Sequence, residues 1–212
     1  MGLVGEVGSG KSTLAQLLLR LHEPPEGTLF LDGEDVAGLD PESLRRAIAY
    51  VPQEPFLFSD AIAENLRLGK EDATRREMEE ACRLSALHEE VAAFPDGYDT
   101  LLGERGITLS GGQKQRLCLA RALLKPSCVL VLDDTLSAVD ADTERRILAG
   151  MAEAVRDRTL VVVSHRMSAV RDLDRILVLR EGRVVQEGRH EDLMAREGYY
   201  RDMVELQEME RE

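Results

Sequence analysis

The sequence predicts an α/β domain built on a mainly parallel sheet. Three observations carry that prediction. Residues 128–132, Cys-Val-Leu-Val-Leu, and 160–163, Leu-Val-Val-Val, are unbroken apolar runs of strand length, the pattern of strands covered on both faces. Leu3-Val4 passes through a glycine-rich turn into the Leu-rich segment 13–21, a strand–turn–helix unit. Strand and helix patterns then alternate along the chain, as they do in parallel sheets crossed by helices. With 212 residues, 43% hydrophobic and 32% charged, the chain can bury a sizeable core. Collagen-like, low-complexity and wholly disordered classes are excluded. The apolar runs are too short to span a bilayer, and no basic-then-apolar leader opens the sequence.

The remaining elements follow in order. Pro24-Pro25-Glu26-Gly27 marks a turn after the first helix, and residues 28–31 read as a short strand. Asp40-Pro41 places an N-cap and a proline at N1, opening a short helix. Residues 61–93 alternate polar and apolar positions at helical spacing, with a solvated acidic face. Residues 117–124 continue as a helix. Residues 174–187 predict two strands joined by a turn at Glu181-Gly182-Arg183, and 189–193 and 199–206 predict two closing helices. No internal repeat or flexible linker interrupts this order.

Gly5-Glu6-Val7-Gly8-Ser9-Gly10-Lys11-Ser12 fits the pattern G-x-x-x-x-G-K-[ST]. Where phosphates crowd a backbone, glycines permit the close approach and the unusual φ angles. Successive N–H groups and the positive end of the next helix then face the anion. Lys11 reaches the β- and γ-phosphates, and Ser12 offers a hydroxyl to Mg²⁺. Gly5, Gly8, Ser9, Gly10, Lys11, Ser12 and Thr13 are therefore the candidate ATP-binding residues. The apolar run 128–132 ends in Asp133-Asp134. Carboxylates at the C-terminal end of such a strand lie where ligands bind in open α/β sheets. Asp133 is the candidate Mg²⁺ ligand and Asp134 the candidate base facing the attacking water.

With 27 Lys+Arg against 40 Asp+Glu, the formal charge is −13, which disfavours nucleic acid as a partner. Cys82, Cys118 and Cys128 have no metal-type spacing and read as small buried residues in a reducing compartment.

Thr108-Leu109-Ser110-Gly111-Gly112-Gln113-Lys114-Gln115-Arg116 resembles the LSGGQ signature of ABC ATPases. The resemblance runs from Gly5 to about Leu206. It implies a P-loop core formed by residues 1–53 and 108–212, with a helical subdomain at 54–107. It also implies ATP and Mg²⁺ as cofactors. Ser110, Gly111, Gly112 and Gln113 would face ATP held by a second nucleotide-binding domain. Tyr50-Val51-Pro52-Gln53-Glu54 resembles the Q-loop, whose Gln53 would touch Mg²⁺ and the attacking water. Ser137-Ala138-Val139-Asp140 resembles the D-loop, and His165, at the end of an apolar strand, the switch histidine. His22, His88 and His190 lack such context and read as surface residues.

Residues 55–66 and Gly103-Glu104-Arg105-Gly106 resemble the exporter branch, the latter its X-loop. This implies a transmembrane domain absent from this chain and a place at the cytoplasmic face of the plasma (inner) membrane. Two departures stand out. Hydrolysing relatives usually carry Glu where Asp134 stands. One methylene less reach can cost about 10²-fold in rate, which implies a slow site, and with it a heterodimer with a different chain or else a homodimer of reduced turnover. The family also has strands and an adenine-stacking aromatic ahead of Gly5. Their lack here implies an incomplete antiparallel β-subdomain, a truncated start and weak stacking on the base.

Overall fold

The computed structural model describes residues 1–103 and 109–209. In chain order these form β1 (Gly2–Gly5), α1 (Lys11–Leu18), β2 (Phe30–Leu31), β3 (Glu34–Asp35), α2 (Pro41–Ala47) and β4 (Ile48–Val51). Then come α3 (Ile62–Arg67), α4 (Arg75–Leu84), α5 (His88–Ala92), α6 (Gly111–Leu124), β5 (Val129–Asp133) and α7 (Ala141–Ala154). The series closes with β6 (Thr159–Val163), β7 (Ile176–Arg180), β8 (Arg183–Gly188), α8 (His190–Met194) and α9 (Tyr199–Met209). The α/β class with mainly parallel pairing is as the sequence predicts. Two compact units result. One combines Met1–Ile48 with the described residues from Leu160 onward, and the other is Ala49–Thr159.

In the first unit the strand order is β6-β1-β7-β8. β1 runs parallel to both neighbours, with Leu3 opposite Val163 and Leu177, and β7 and β8 form an antiparallel hairpin. Leu3, Val4, Val163, Ile176 and Val178 are almost wholly buried, which explains the apolar runs. Each such side chain contributes roughly 1.5–3 kcal/mol.

α1 begins earlier than its Leu pattern suggests, because Gly10 opens it from the left-handed region at φ 101°. It ends where Arg20 turns left-handed at φ 47° and Leu21 N–H closes back on the Gln16 carbonyl. The expected strand at 28–31 shrinks to Phe30–Leu31, paired with β3 in a small antiparallel sheet. The turn before it holds on longer: Thr28 Oγ1 donates to the Pro25 carbonyl (2.6 Å), and Gly27 N–H donates to Asp35 Oδ2 (2.7 Å). α2 starts as read, with Asp40 Oδ2 accepting from Ser43 N–H and Pro41 at N1.

In the second unit β4 lies beside β5, and helices α3 to α7 pack together around Ile62, Leu66, Met78, Leu87, Leu117, Leu119 and Ile147. α4 opens on a capping box between Thr74 and Glu77. Buried Asn65 pins the preceding turn. Its Oδ1 accepts from Phe58 N–H (2.9 Å), and its Nδ2 donates to the Phe58 and Ala61 carbonyls.

Two sequence expectations are corrected here. Cys82 and Cys118 are buried and their thiols are pushed up by desolvation, Cys82 to about 11, but Cys128 is exposed because it lies just outside β5. His88 and His190 are not simple surface residues. Each is half-buried, with Nδ1 at 2.9 Å from a buried tyrosine hydroxyl, Tyr98 and Tyr200 respectively. Among the described residues no helix is long and apolar enough to cross a membrane.

Candidate functional site

The loop after β1 is shaped by glycine. Gly5, Gly8 and Gly10 have φ of 151°, 84° and 101°. At Gly5 a Cβ would lie 2.2 Å from the Leu179 carbonyl oxygen, so no other residue fits there without moving β7. Ser9 is buried, and its carbonyl accepts from Gly182 N–H (3.1 Å), anchoring the loop to the β7–β8 turn. Lys11 folds back across the loop. Its Nζ donates to the carbonyls of Gly5 (2.8 Å) and Glu6 (2.7 Å) and approaches Ser9 Oγ (3.4 Å). Ser12 is half-buried and Thr13 exposed on the first turn of α1. No side chain caps that helix start. The positive end of the helix lies at this start, directly after the loop.

β6 leads out of the same unit's sheet to His165. Ser164 is buried, its N–H donating to the Leu3 carbonyl (3.1 Å), whereas His165 is exposed. No local sequence pattern singles out Gln207 on α9. Its Nε2 donates to the His165 carbonyl (2.5 Å), and its Oε1 accepts from Met167 N–H (3.0 Å).

In the second unit, β5 delivers Asp133 at 2% exposure. The Tyr50 hydroxyl, from the neighbouring strand, donates to Asp133 Oδ2 (2.9 Å). Burial, then the nearby carboxylate, pushes the Tyr50 pKa well above the ordinary phenol value, so it remains a donor. Thr135 Oγ1 donates to the Val51 carbonyl (3.2 Å), tying the same strand ends again. Asp134 is half-buried with φ 47°, a left-handed conformation that Asp tolerates better than most residues. Gln53 is exposed just beyond β4.

The segment that opens α6 is self-capped. Ser110 Oγ accepts from Gln113 N–H (3.2 Å) while Gln113 Oε1 accepts from Ser110 N–H (2.8 Å). Gln113 Nε2 donates onward to Glu90 Oε2 (2.7 Å), so both ends of this amide are engaged inside the unit. Arg116 adds a bidentate pair to Glu90 (2.7 and 3.1 Å) and donates to the Ala86 carbonyl. Burial works against the charged form of Glu90, but these donors hold its carboxyl below the usual range.

Gln115 is 4% exposed and bridges to the next motif. Its Nε2 donates to Ser137 Oγ (3.1 Å), and its Oε1 accepts from Ala138 N–H (3.0 Å). Gly112 is required at that junction, since a Cβ would lie 2.9 Å from the Ala138 carbonyl oxygen. Asp140 caps α7 by accepting from Thr143 N–H (2.9 Å), and that bond lowers its pKa. Ser110, Gly111, Gly112, Arg116, Ala138, Val139 and Asp140 line one shallow cleft of about 330 Å³. The structure therefore brings the two motifs together. Glu104, Arg105 and Gly106 of the expected X-loop, and Thr108, lie outside the described residues. Among the described residues no group of three or more His, Cys, Asp or Glu is arranged to hold a metal ion.

Compared with known families, residues 1–137 match the ABC transporter family. The chain belongs to that family. It is 47% identical over 208 residues to the ATP-binding cassette sub-family B member 6 of Xenopus tropicalis, covering 98% of this chain and 24% of that protein. It is 45% identical to the mitochondrial potassium channel ATP-binding subunit of Pongo abelii, covering 99% of this chain and 29% of that one. Among solved structures it is similar to a bacterial Atm1-family ABC exporter with ATP bound, with a TM-score of 0.92 and 43% identity over 97% of this chain and 36% of that chain. This ABC chain is therefore a nucleotide-binding domain of the Atm1 and sub-family B exporter type. It spans about a quarter to a third of the length of these relatives.

Proposed function

We propose that this domain binds and hydrolyses ATP to power an exporter, working as one half of a nucleotide sandwich. The reading is carried by the coexistence, on one chain, of a glycine-shaped loop feeding an uncapped helix start with a self-capped signature helix that opens onto a cleft. The loop 5–13 holds the phosphates of one ATP through backbone N–H groups and Lys11. Ser110, Gly111, Gly112 and Gln113 face the nucleotide of a second cassette, Gln113 acting through the cap it makes for Ser110. Two bound nucleotides close the pair, and hydrolysis reopens it. Residues 1–53 and 108–212 form the nucleotide-binding core, and 54–107, which contain α3 to α5, the helical subdomain.

Ser12, Gln53 and Asp133 offer a hydroxyl, an amide oxygen and one carboxylate. This all-oxygen set suits Mg²⁺, which keeps waters and takes further ligands from phosphates. Asp133 is buried and anchored by Tyr50, so its carboxylate is set in place before a cation arrives. Mg²⁺ supplies neutralisation of phosphate charge. His165 senses the γ-phosphate, and Asp134 takes the proton of the attacking water.

Asp134 is shorter than Glu and sits in a left-handed backbone that Glu adopts less readily. The domain's own site is slow for that reason, and it pairs with a different chain that carries the longer base. A transmembrane domain outside this chain attaches it to the cytoplasmic face of a membrane, the plasma membrane in this reading. Nucleic acid is not a partner. Replacing Asp134 with Glu in the assembled transporter is expected to raise turnover at this site about tenfold or more, short of the full reach effect because of the backbone strain. Steady-state ATPase assays, with the partner's base removed in parallel, check this. Unchanged turnover sinks the misplaced-base reading and favours a regulatory clamp that holds ATP without turning it over.

A further inference from the structure

We infer that Gln207 on α9 is a positioning residue for His165, resting on the reading of His165 as the γ-phosphate sensor given above. The connection between β6 and the following helical turn at Met167–Ala169 must leave the sheet and present an exposed imidazole on a backbone that does not wander. Ser164 fixes its entry. That residue is buried, its N–H bonded to the Leu3 carbonyl of β1, and its Oγ accepts from Arg166 N–H (3.0 Å). Gln207 fixes its exit. Arg166 is extended (φ −90°, ψ 121°). In an extended residue the preceding carbonyl and the following N–H face the same side, as along a strand edge. One planar amide can satisfy both, and the Gln207 amide does so: Nε2 to the His165 carbonyl at 2.5 Å, Oε1 from Met167 N–H at 3.0 Å.

The side chain thus acts as a single residue of pseudo-strand laid against Arg166. It keeps the turn at Met167 from winding back over His165. α9 is itself fixed, with Tyr200 and Val204 buried, Met167 buried in the same unit, and the Tyr200 hydroxyl bonded to His190. The backbone that carries the imidazole is therefore held between β1, through Ser164, and α9, through Gln207. A sensor of one phosphate oxygen has to be held to a fraction of an ångström, and a two-bond clamp on the backbone from the His165 carbonyl to the Met167 N–H restrains the chain that carries it.

The assembled transporter, with the partner's base removed so that this site's turnover is read, tests this with three variants: Gln207→Ala, Gln207→Glu and His165→Ala. Amide exchange at Met167 is read together with kcat and KM for ATP. Gln207→Ala is expected to speed exchange of the Met167 amide and to lower kcat, each about tenfold, with KM within about twofold. Gln207→Glu still accepts from Met167 N–H but turns a carboxylate toward the His165 carbonyl. Exchange at Met167 should then stay slow while kcat falls about as far as in the alanine variant, a split that mere docking of α9 does not produce. Unaltered kcat in both Gln207 variants, with turnover lost in His165→Ala, overturns the inference, as does unaltered exchange in Gln207→Ala. Turnover that survives in His165→Ala breaks the sensor reading instead, and the Met167 exchange then decides the clamp by itself.

Discussion

α1 and α6 both present a helix start to the place where a phosphate is proposed to bind, yet they are finished in opposite ways. α1 follows Gly10, whose left-handed backbone brings no side chain to the cap. α6 follows Ser110, whose hydroxyl and the Gln113 amide close a reciprocal box. The α1 start has no side-chain cap, whereas the α6 start is closed by two side chains of its own. The cradle side is therefore a backbone device, sensitive to any added Cβ. The signature side is a side-chain device, held by amides reaching to Glu90, Ser137 and Ala138.

The largest expected effect breaks the backbone device. Gly5→Ala places a methyl 2.2 Å from the Leu179 carbonyl oxygen at a φ that alanine does not favour. We expect a loss of about 3–5 kcal/mol from strain and a displaced strand, read by urea unfolding. Lys11→Ala removes the charge across the loop and should weaken ATP binding about a hundredfold, measured by titration with a fluorescent nucleotide. On the side-chain device, Gln115→Leu removes the bonds that Gln115 makes with Ala138 N–H and the Ser137 hydroxyl. A loss of about 1–3 kcal/mol is expected on unfolding, with nucleotide affinity of the loop 5–13 unchanged. Equal loss of nucleotide affinity in Gln115→Leu would erase the contrast.

The smallest effect concerns acid. The Lys70 hydrogen bond, then the bonds from Thr74, hold Glu77 down at about 2 against an ordinary value of 4.5. A lowered folded value means stabilisation above 4.5 that disappears as pH falls toward 2. Carboxyl chemical shifts of Glu77 should show no midpoint near 4.5, and Glu77→Gln should flatten the acid sensitivity of α4.

What could be read in the sequence was local. Buried strands announce themselves as apolar runs, so β1, β5, β6 and β7 are legible, as are the cap at Asp40 and the glycine spacing of the loop. What could not be read depends on partners far along the chain. Gln207 meets His165 across 42 positions and Tyr50 meets Asp133 across 83. A glutamine in a polar helix and a tyrosine in a strand carry no signal of such pairings. Gln115 lies inside the quoted signature segment, but its burial follows from the return of Ser137 and Ala138, which no local pattern encodes. Cys128 departs from the buried expectation by a single position, since β5 starts at Val129. His88 and His190 depart from the surface expectation because each meets a buried tyrosine ten residues on.

The parallel pairing of β1 also sets a timetable. Its neighbours begin at Thr159 and Ile176, so the strand that carries the phosphate loop is made long before either of them exists. At roughly 5–20 residues per second, a ribosome needs on the order of 10–30 s to cover the interval. By the end of that interval Ala49–Thr159, one unbroken stretch with its own core, is complete and can fold before β1 is paired. The nascent chain would then mature from the middle outward, and the apolar β1 strand would be the segment in longest need of a chaperone.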